Sequence, residues 1–343
     1  MSSAAWANLD FEEELAGPRS YRTSPSMLAV LERWRFLLRL LPGARSAQCL
    51  EAPEAPAEGR VEKLWLWGVT PTGLTLAREL GVESQFPPLE AVRLVNDKLF
   101  SHSLEVQLGI ELPFARRIET LEVLREAVTD CPHDWVLKHP LGFSGRERAV
   151  GKAGFVSDSA WGWAKKRFAT GWSLLFEPWV EEKTELSLHF DITEAGEVHY
   201  LGHTELLSDA GGVYRGNAVV AEALPPVAFL ESAERIAKEV SRRGYWGPLG
   251  IDSMSGRLGE SPTLRPLTEL NARYSFGRMT LELGRHLPAG CSYSWHHPRR
   301  ADPALHQLAP LPSEPTDGRY GLPEWLDPGQ RTGTYLLVSG DPN

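Results

Sequence analysis

Between Pro25 and Leu41 the apolar residues Met27, Leu28, Leu31, Trp34, Leu37, Leu38 and Leu41 recur at intervals of three and four. That is the period of an amphipathic helix, and Pro42-Gly43 ends it. Residues 51–60 have loop composition. The run from Val61 to Val69 then reads as a buried strand stopped by Thr70-Pro71-Thr72-Gly73. A helix over Leu74–Leu80 and a strand over Val92–Val95 continue the alternation, which favours a mostly parallel sheet covered by helices and a subdomain boundary near Asn96. Asp97 is placed to cap a further helix. Strands are expected over Trp135–His139 and Trp172–Val180, with a helix over Trp161–Ala169 between them; the second runs into Glu181–Glu185 and a hinge, with a solvated acidic turn as the alternative for those glutamates. Three strand-like runs, Leu186–Ile192, Val198–Leu206 and Val213–Val220, are separated by glycine-containing turns and predict an antiparallel sheet. A helix over Phe229–Arg243 precedes a hairpin of Leu249–Met254 and Leu264–Leu270. From Leu287 onward the composition predicts a largely irregular tail with one strand over Thr334–Ser339. The whole is an α/β (α+β) chain.

Composition narrows the function classes. With 343 residues, 42% hydrophobic and 24% charged, the chain is an ordinary globular protein with room for two or three subdomains. A net charge of -9, without a long basic run, argues against a nucleic-acid footprint. Three widely spaced cysteines, Cys49, Cys131 and Cys291, indicate neither a disulfide framework nor a thiolate metal site, and fit a reducing cytoplasm. Met1 to Glu14 lacks the pattern of a secretory signal, and no run of about 18 apolar residues suggests a membrane span. The twelve tryptophans read as core packing.

The chemistry gathers on the hairpin. Glu269 and Asn271 are two residues apart on one strand, so both can face the same side as Asp252 on the other. Carboxylate and amide oxygens suit Mg²⁺, which keeps few protein ligands and leaves room for phosphates; a solvated strand face is the plain alternative. Lys98 in the first turn of its helix opposes the helix dipole, as a lysine reaching for a phosphate would, or is a surface residue. Lys138 ends its strand beside a loop containing Gly142, Ser144 and Gly145, whose backbone N–H groups can fold over phosphates. The loop does not match the P-loop pattern G-x-x-x-x-G-K-S/T. The segment Phe176-Glu177-Pro178-Trp179-Val180 can offer backbone groups to an adenine edge, and Glu185 can accept from ribose hydroxyls. Arg215 lies beside Gly216, where a ligand can approach closely.

In this order, Lys98, Lys138, the glycine-containing loop, Glu177-Pro178-Trp179-Val180, Glu185, Asp252 and Glu269-x-Asn271-x-Arg273 resemble the ATP-grasp superfamily over residues 90–285. The resemblance implies an N-terminal α/β subdomain (1–96), a lid subdomain (97–175) and a C-terminal subdomain (176–288), the last two enclosing ATP, then the tail (289–343). It implies that a carboxylate becomes an acyl phosphate, which an amine attacks, releasing ADP and phosphate. Lys98, Lys138, Gly142, Ser144 and Gly145 would meet the ATP phosphates, and Glu177, Trp179 and Val180 the adenine. Glu185 would hold ribose, with Glu181 and Glu182 interchangeable with it. Asp252, Glu269 and Asn271 would hold Mg²⁺, with Mn²⁺ as the alternative ion. Arg273 would face the transferring phosphate, with Arg215 as a second substrate-contacting residue and His139 and Arg278 behind it. The partners implied are small-molecule carboxylate and amine substrates, with no nucleic acid and no membrane. The chain departs from the family pattern in a loop with fewer glycines and in the spacing from Glu177 to Glu185. A nucleotide-binding relative without turnover and a small-molecule kinase are the alternatives.

Overall fold

In a computed structural model that describes residues 2–17, 21–56, 59–142, 147–209, 213–298 and 307–339, the chain builds three sheets. The first is parallel: β1 (Ser3–Trp6) lies between β2 (Gln48–Cys49) and β3 (Lys63–Leu66). Helices α1 (Phe11–Ala16) and α2 (Pro25–Trp34) follow β1, and α2 starts where Ser24 Oγ accepts from Met27 N at 3.3 Å. The expected single helix to Leu41 breaks after Trp34 into a tight turn over Leu37–Leu40. Its apolar period runs on across the break, so period alone does not locate the end. α3 (Pro71–Glu79) begins three residues earlier than expected, because Pro71 occupies the first helical position and Thr70 Oγ1 accepts from Gly73 N at 3.1 Å. Val92–Val95 is not a strand. It is the end of α4 (Leu89–Val95), with Ala91, Val92 and Val95 buried along one side, and the four-residue stretch is too short for periodicity to assign.

α5 (Lys98–Leu108) opens with Asp97 accepting from Leu99 N at 2.7 Å. The second sheet is four-stranded and antiparallel, in the order β4 (Arg116–Ile118), β7 (Leu174–Pro178), β5 (Trp135–Lys138), β6 (Arg148–Gly151). Helices α6 (Leu121–Asp130) and α7 (Asp158–Ala169) complete its core, in which Ile118, Leu124, Trp135, Leu137 and Phe176 are buried.

The third sheet has eight strands among the described residues. Its first half is β12 (Ser261–Asn271), β11 (Gly247–Leu258), β8 (Glu181–Ile192), β9 (Val198–Ser208) and β10 (Tyr214–Val219), all antiparallel. Glu181–Glu185 form the start of β8 rather than the alternative acidic turn, paired Glu185 to Met254 and Glu181 to Arg257, with a register shift nearby and Glu182 at φ 46. The turn expected at 210–212 lies outside the described residues. α8 (Val227–Arg242) packs against β8, β9, β11 and β12. α9 (Phe276–Gly284) lies on the sheet face of His189 and Asp191, where a Cβ on Gly277 would come within 2.7 Å of His189 Nε2. The strand expected over Thr334–Ser339 is β15 (Tyr335–Ser339), and two further short strands, β13 (Ser292–His296) and β14 (Gly318–Tyr320), join it in extending the same sheet from β10. Tyr293 and Trp295 alternate with polar Ser292, Ser294 and His296, and the intervening prolines and histidines mask that short signal.

Candidate active site

A cavity of about 280 Å³ opens between the four-stranded sheet and the eight-stranded one, with α5 contributing Lys98. Its floor is the β11–β12 hairpin. Asp252 pairs directly with Glu269 and Gly250 with Asn271, so glycine leaves room for the Asn271 side chain, whose Nδ2 donates to Asp252 Oδ2 at 3.0 Å. Lys98 Nζ reaches Glu269 Oε1 at 2.9 Å and also donates to Gly142 O. The start of α5 is fixed to this floor, since Asn96 Oδ1 accepts from Ala272 N at 3.1 Å and Pro140 O accepts from Lys98 N at 3.0 Å. Burial, and then the neighbouring Glu269 carboxylate, push the Asp252 carboxyl up to about 7. Two carboxylates set against one another with an amide beside them are short of positive charge.

The opposite wall holds a buried ionic chain. Lys138 Nζ lies 2.5 Å from Glu177 Oε2, the other Glu177 oxygen accepts from Arg265, and Arg265 donates to both Glu105 oxygens at 2.7 and 3.0 Å. Burial alone would raise the Glu177 carboxyl, but Arg265 and Lys138 hold it well below the usual carboxylate range. Arg265 and Glu105 were missed in the sequence. Their signals were a lone arginine inside the apolar run Leu264–Leu270 and a glutamate one helical turn from Ser101 on the buried side of α5. His139 also lines the cavity; burial lowers its imidazole to about 4, leaving it neutral with Nδ1 accepting from Leu141 N at 3.2 Å.

Of the expected site residues, Lys98, Lys138, Gly142, Glu177, Trp179, Val180, Glu185, Asp252, Glu269, Asn271 and Arg273 line this one cavity. Ser144 and Gly145 lie outside the described residues. The Glu177 carboxylate is consumed in the ionic chain and its backbone pairs with Val136, while Trp179 N donates to Asp134 O at 2.7 Å. Glu185 is held by Lys183 at 2.8 Å. Arg273 is paired with Glu12, and its Nη1 donates to Tyr274 O at 3.1 Å. Arg215 does not line the cavity: Asp209 holds it at 2.6 Å. Arg278 is likewise engaged elsewhere, by Asp191 at 2.8 and 3.1 Å and by Glu282 at 2.8 Å, and fastens α9 to β8.

Among the described residues no group of three or more His, Cys, Asp and Glu could hold a metal. The donor set of Asp252, Glu269 and Asn271 nonetheless fits Mg²⁺, which takes one or two protein carboxylates and fills its remaining positions with water and phosphate oxygens.

A family model described as "L-aspartate--L-methionine ligase, ATP grasp" matches residues 157–261, which include Glu177–Val180, β8 and the whole of β11. The (butirosin acyl-carrier protein)--L-glutamate ligase of Niallia circulans is 33% identical over 197 residues, covering 54% of this chain but only 45% of that relative's length. Among solved structures, the biotin carboxylase of Campylobacter jejuni in complex with β,γ-ATP superposes with a TM-score of 0.56 at 12% identity, over 82% of this chain and 78% of that one. N5-carboxyaminoimidazole ribonucleotide synthetase from Thermus thermophilus gives 0.52 at 18% identity, over 80% and 76%. An ATP-grasp family model thus matches residues 157–261 of this chain, and the fold, with its cavity between two sheets, is similar to that of these two solved structures.

Proposed function

We propose that the protein is an ATP-dependent, ADP-forming ligase that activates a carboxylate as an acyl phosphate and joins it to an amine. One observation carries this reading: a single cavity sets the oxygen donors Asp252, Glu269 and Asn271 against the cations Lys98, Lys138 and Arg273. Phosphoryl transfer needs charge neutralisation and positioning more than covalent help. In this reading Lys98 and Lys138 hold phosphate oxygens, with Gly142 beside them. The backbone at Trp179 and Val180 takes adenine and Glu185 takes ribose. Asp252, Glu269 and Asn271 hold Mg²⁺, which supplies neutralisation of phosphate charge. A carboxylate oxygen of the substrate attacks the terminal phosphorus and ADP leaves. The amine nitrogen then attacks the acyl carbon and phosphate leaves. Arg273, with five N–H groups in a fixed fork, steadies the oxygens of the acyl phosphate. Arg215, held by Asp209, has no part in this assignment. Residues 1–96, 97–175 and 176–288 then serve as the N-terminal, lid and C-terminal subdomains.

Both substrates are taken to be small molecules, and the protein is placed in the cytoplasm, a reading that three unpaired cysteines fit. No helix among the described residues is long and apolar enough to cross a membrane. The related ligase's name specifies an acyl-carrier protein, so a carrier-borne substrate is the variant to include in assays.

The metal assignment makes a pH-dependent prediction. Mg²⁺ needs Asp252 as carboxylate, so Mg²⁺ affinity rises as pH passes upward through about 7. In Glu269→Gln the neighbouring charge is gone, so the same rise moves to lower pH while turnover at limiting Mg²⁺ drops about 10- to 100-fold. Calorimetric Mg²⁺ titrations at several pH values, with turnover assays, check both. Unchanged turnover at limiting Mg²⁺ in Glu269→Gln would remove the hairpin from metal binding. A stable phosphoester among the products would make the protein a kinase, and nucleotide binding without turnover would make it a binding module.

A further inference from the structure

Arg273 also lines a second cavity, of about 540 Å³. Its walls are aromatic. Trp65 and Trp67 come from the end of β3, Phe86 from the connector before α4, Tyr245 and Trp246 from the segment before β11, and Tyr274 from just beyond β12. The walls are fixed to one another: Tyr274 N donates to Trp67 O at 2.9 Å, and buried Asn8 accepts from Trp67 N at 3.0 Å and donates to Gly68 O at 2.9 Å. Such a site is built before any ligand arrives. Among the described residues, only three charged side chains line it. Lys63 and Glu194 are exposed at its rim, and Lys63 Nζ sits 4.1 Å from the centre of the Trp65 ring. Arg273 is the sheltered one, and it lines the first cavity too.

We infer that this second cavity receives the body of the carboxylate substrate, and that the substrate is a monocarboxylic acid with an aromatic or long aliphatic body. The inference rests on the ligase reading above for what happens to the carboxylate, and on this cavity for what carries it. Aromatic walls reward apolar surface and ring stacking. The Arg273 guanidinium, which lines both cavities and is shared with Glu12, still offers N–H groups that attract a carboxylate and repel an ammonium, which favours the acid here over the amine. A dicarboxylate such as the aspartate or glutamate in the relatives' names would need a second sheltered cation, which the described lining does not have.

The test is calorimetry on the full chain without nucleotide, using 3-phenylpropionate and succinate as probes. 3-Phenylpropionate is expected to bind at least about tenfold more tightly than succinate. Trp246→Ala, and separately Trp65→Ala on the opposite wall, are each expected to weaken it by about tenfold, with Mg²⁺–ATP affinity at the first cavity unchanged. Succinate binding equally well or better, or 3-phenylpropionate binding unaltered in whichever of the two variants folds, would overturn the inference. Failure of the underlying reading looks different: 3-phenylpropionate binds as described and loses affinity in the variants, yet no apolar acid stimulates ATP turnover.

Discussion

Arg265→Met should destabilise the protein by about 3–5 kcal/mol, the cost of leaving buried carboxylates without their shared cation. Arg265 is 2% exposed and bridges Glu105 and Glu177, each 1% exposed, which join α5 to β7 through β12. With the guanidinium gone, Lys138 still faces Glu177, but among the described residues Glu105 keeps His102 alone as an ionic neighbour, at 3.7 Å. Methionine fills much of the volume, so the loss is electrostatic rather than a cavity. Urea unfolding checks it, with the midpoint falling and the slope unchanged. Adding Glu105→Gln to Arg265→Met should recover part of the loss, because the most isolated charge is then removed. A loss under about 1 kcal/mol would mean that water reaches the chain of charges and that the cavity wall is not the dry one described.

Lys138→Met should do the reverse, with little change in stability and a fall in ATP turnover of about 10²- to 10³-fold. Lys138 shares the Glu177 carboxylate with Arg265, but its side chain is 20% exposed, and it faces the cavity from the end of β5. Glu177 keeps Arg265 in the variant and stays ionised, so the protein side of the wall survives. What is lost is the charge that meets phosphate. Steady-state kinetics and denaturation on the same preparation separate the two cations. Equal damage to folding by both substitutions would reduce Lys138 to a structural role.

The hairpin was legible because strand alternation is a rule of geometry: residues two apart share a face, and the register sets Asp252 against Glu269 and Asn271 beside Asp252. The start of α5 was legible through its cap. A parallel first sheet was expected from an alternation that counted Val92–Val95, which is helix, while β1 and β2, whose pairing makes that sheet, were not foreseen. The rest depended on partners distant in sequence. Arg265 meets Glu105 across 160 positions, and neither residue announces the other. Arg215 sits beside a glycine that suggested a ligand, yet Gly216 at φ 146 instead lets β10 run close to Trp295 on β13. β15 was legible over Thr334–Ser339, whereas β13 and β14 were hidden because each is short and gains its place only from the neighbouring strand of a sheet already formed.

The direct measurement of the central claim is the fate of oxygen. The protein is incubated with Mg²⁺, ATP, hydroxylamine as the amine, and an acid that stimulates ATP turnover, its carboxylate labelled with ¹⁸O. Transfer of a carboxylate oxygen to the terminal phosphorus, followed by attack on the acyl carbon, leaves one label in inorganic phosphate, with ADP and a hydroxamate as the other products. Label in AMP, with pyrophosphate released, would mean that the acid attacks the first phosphorus, and would contradict both the acyl phosphate and the role given to Arg273.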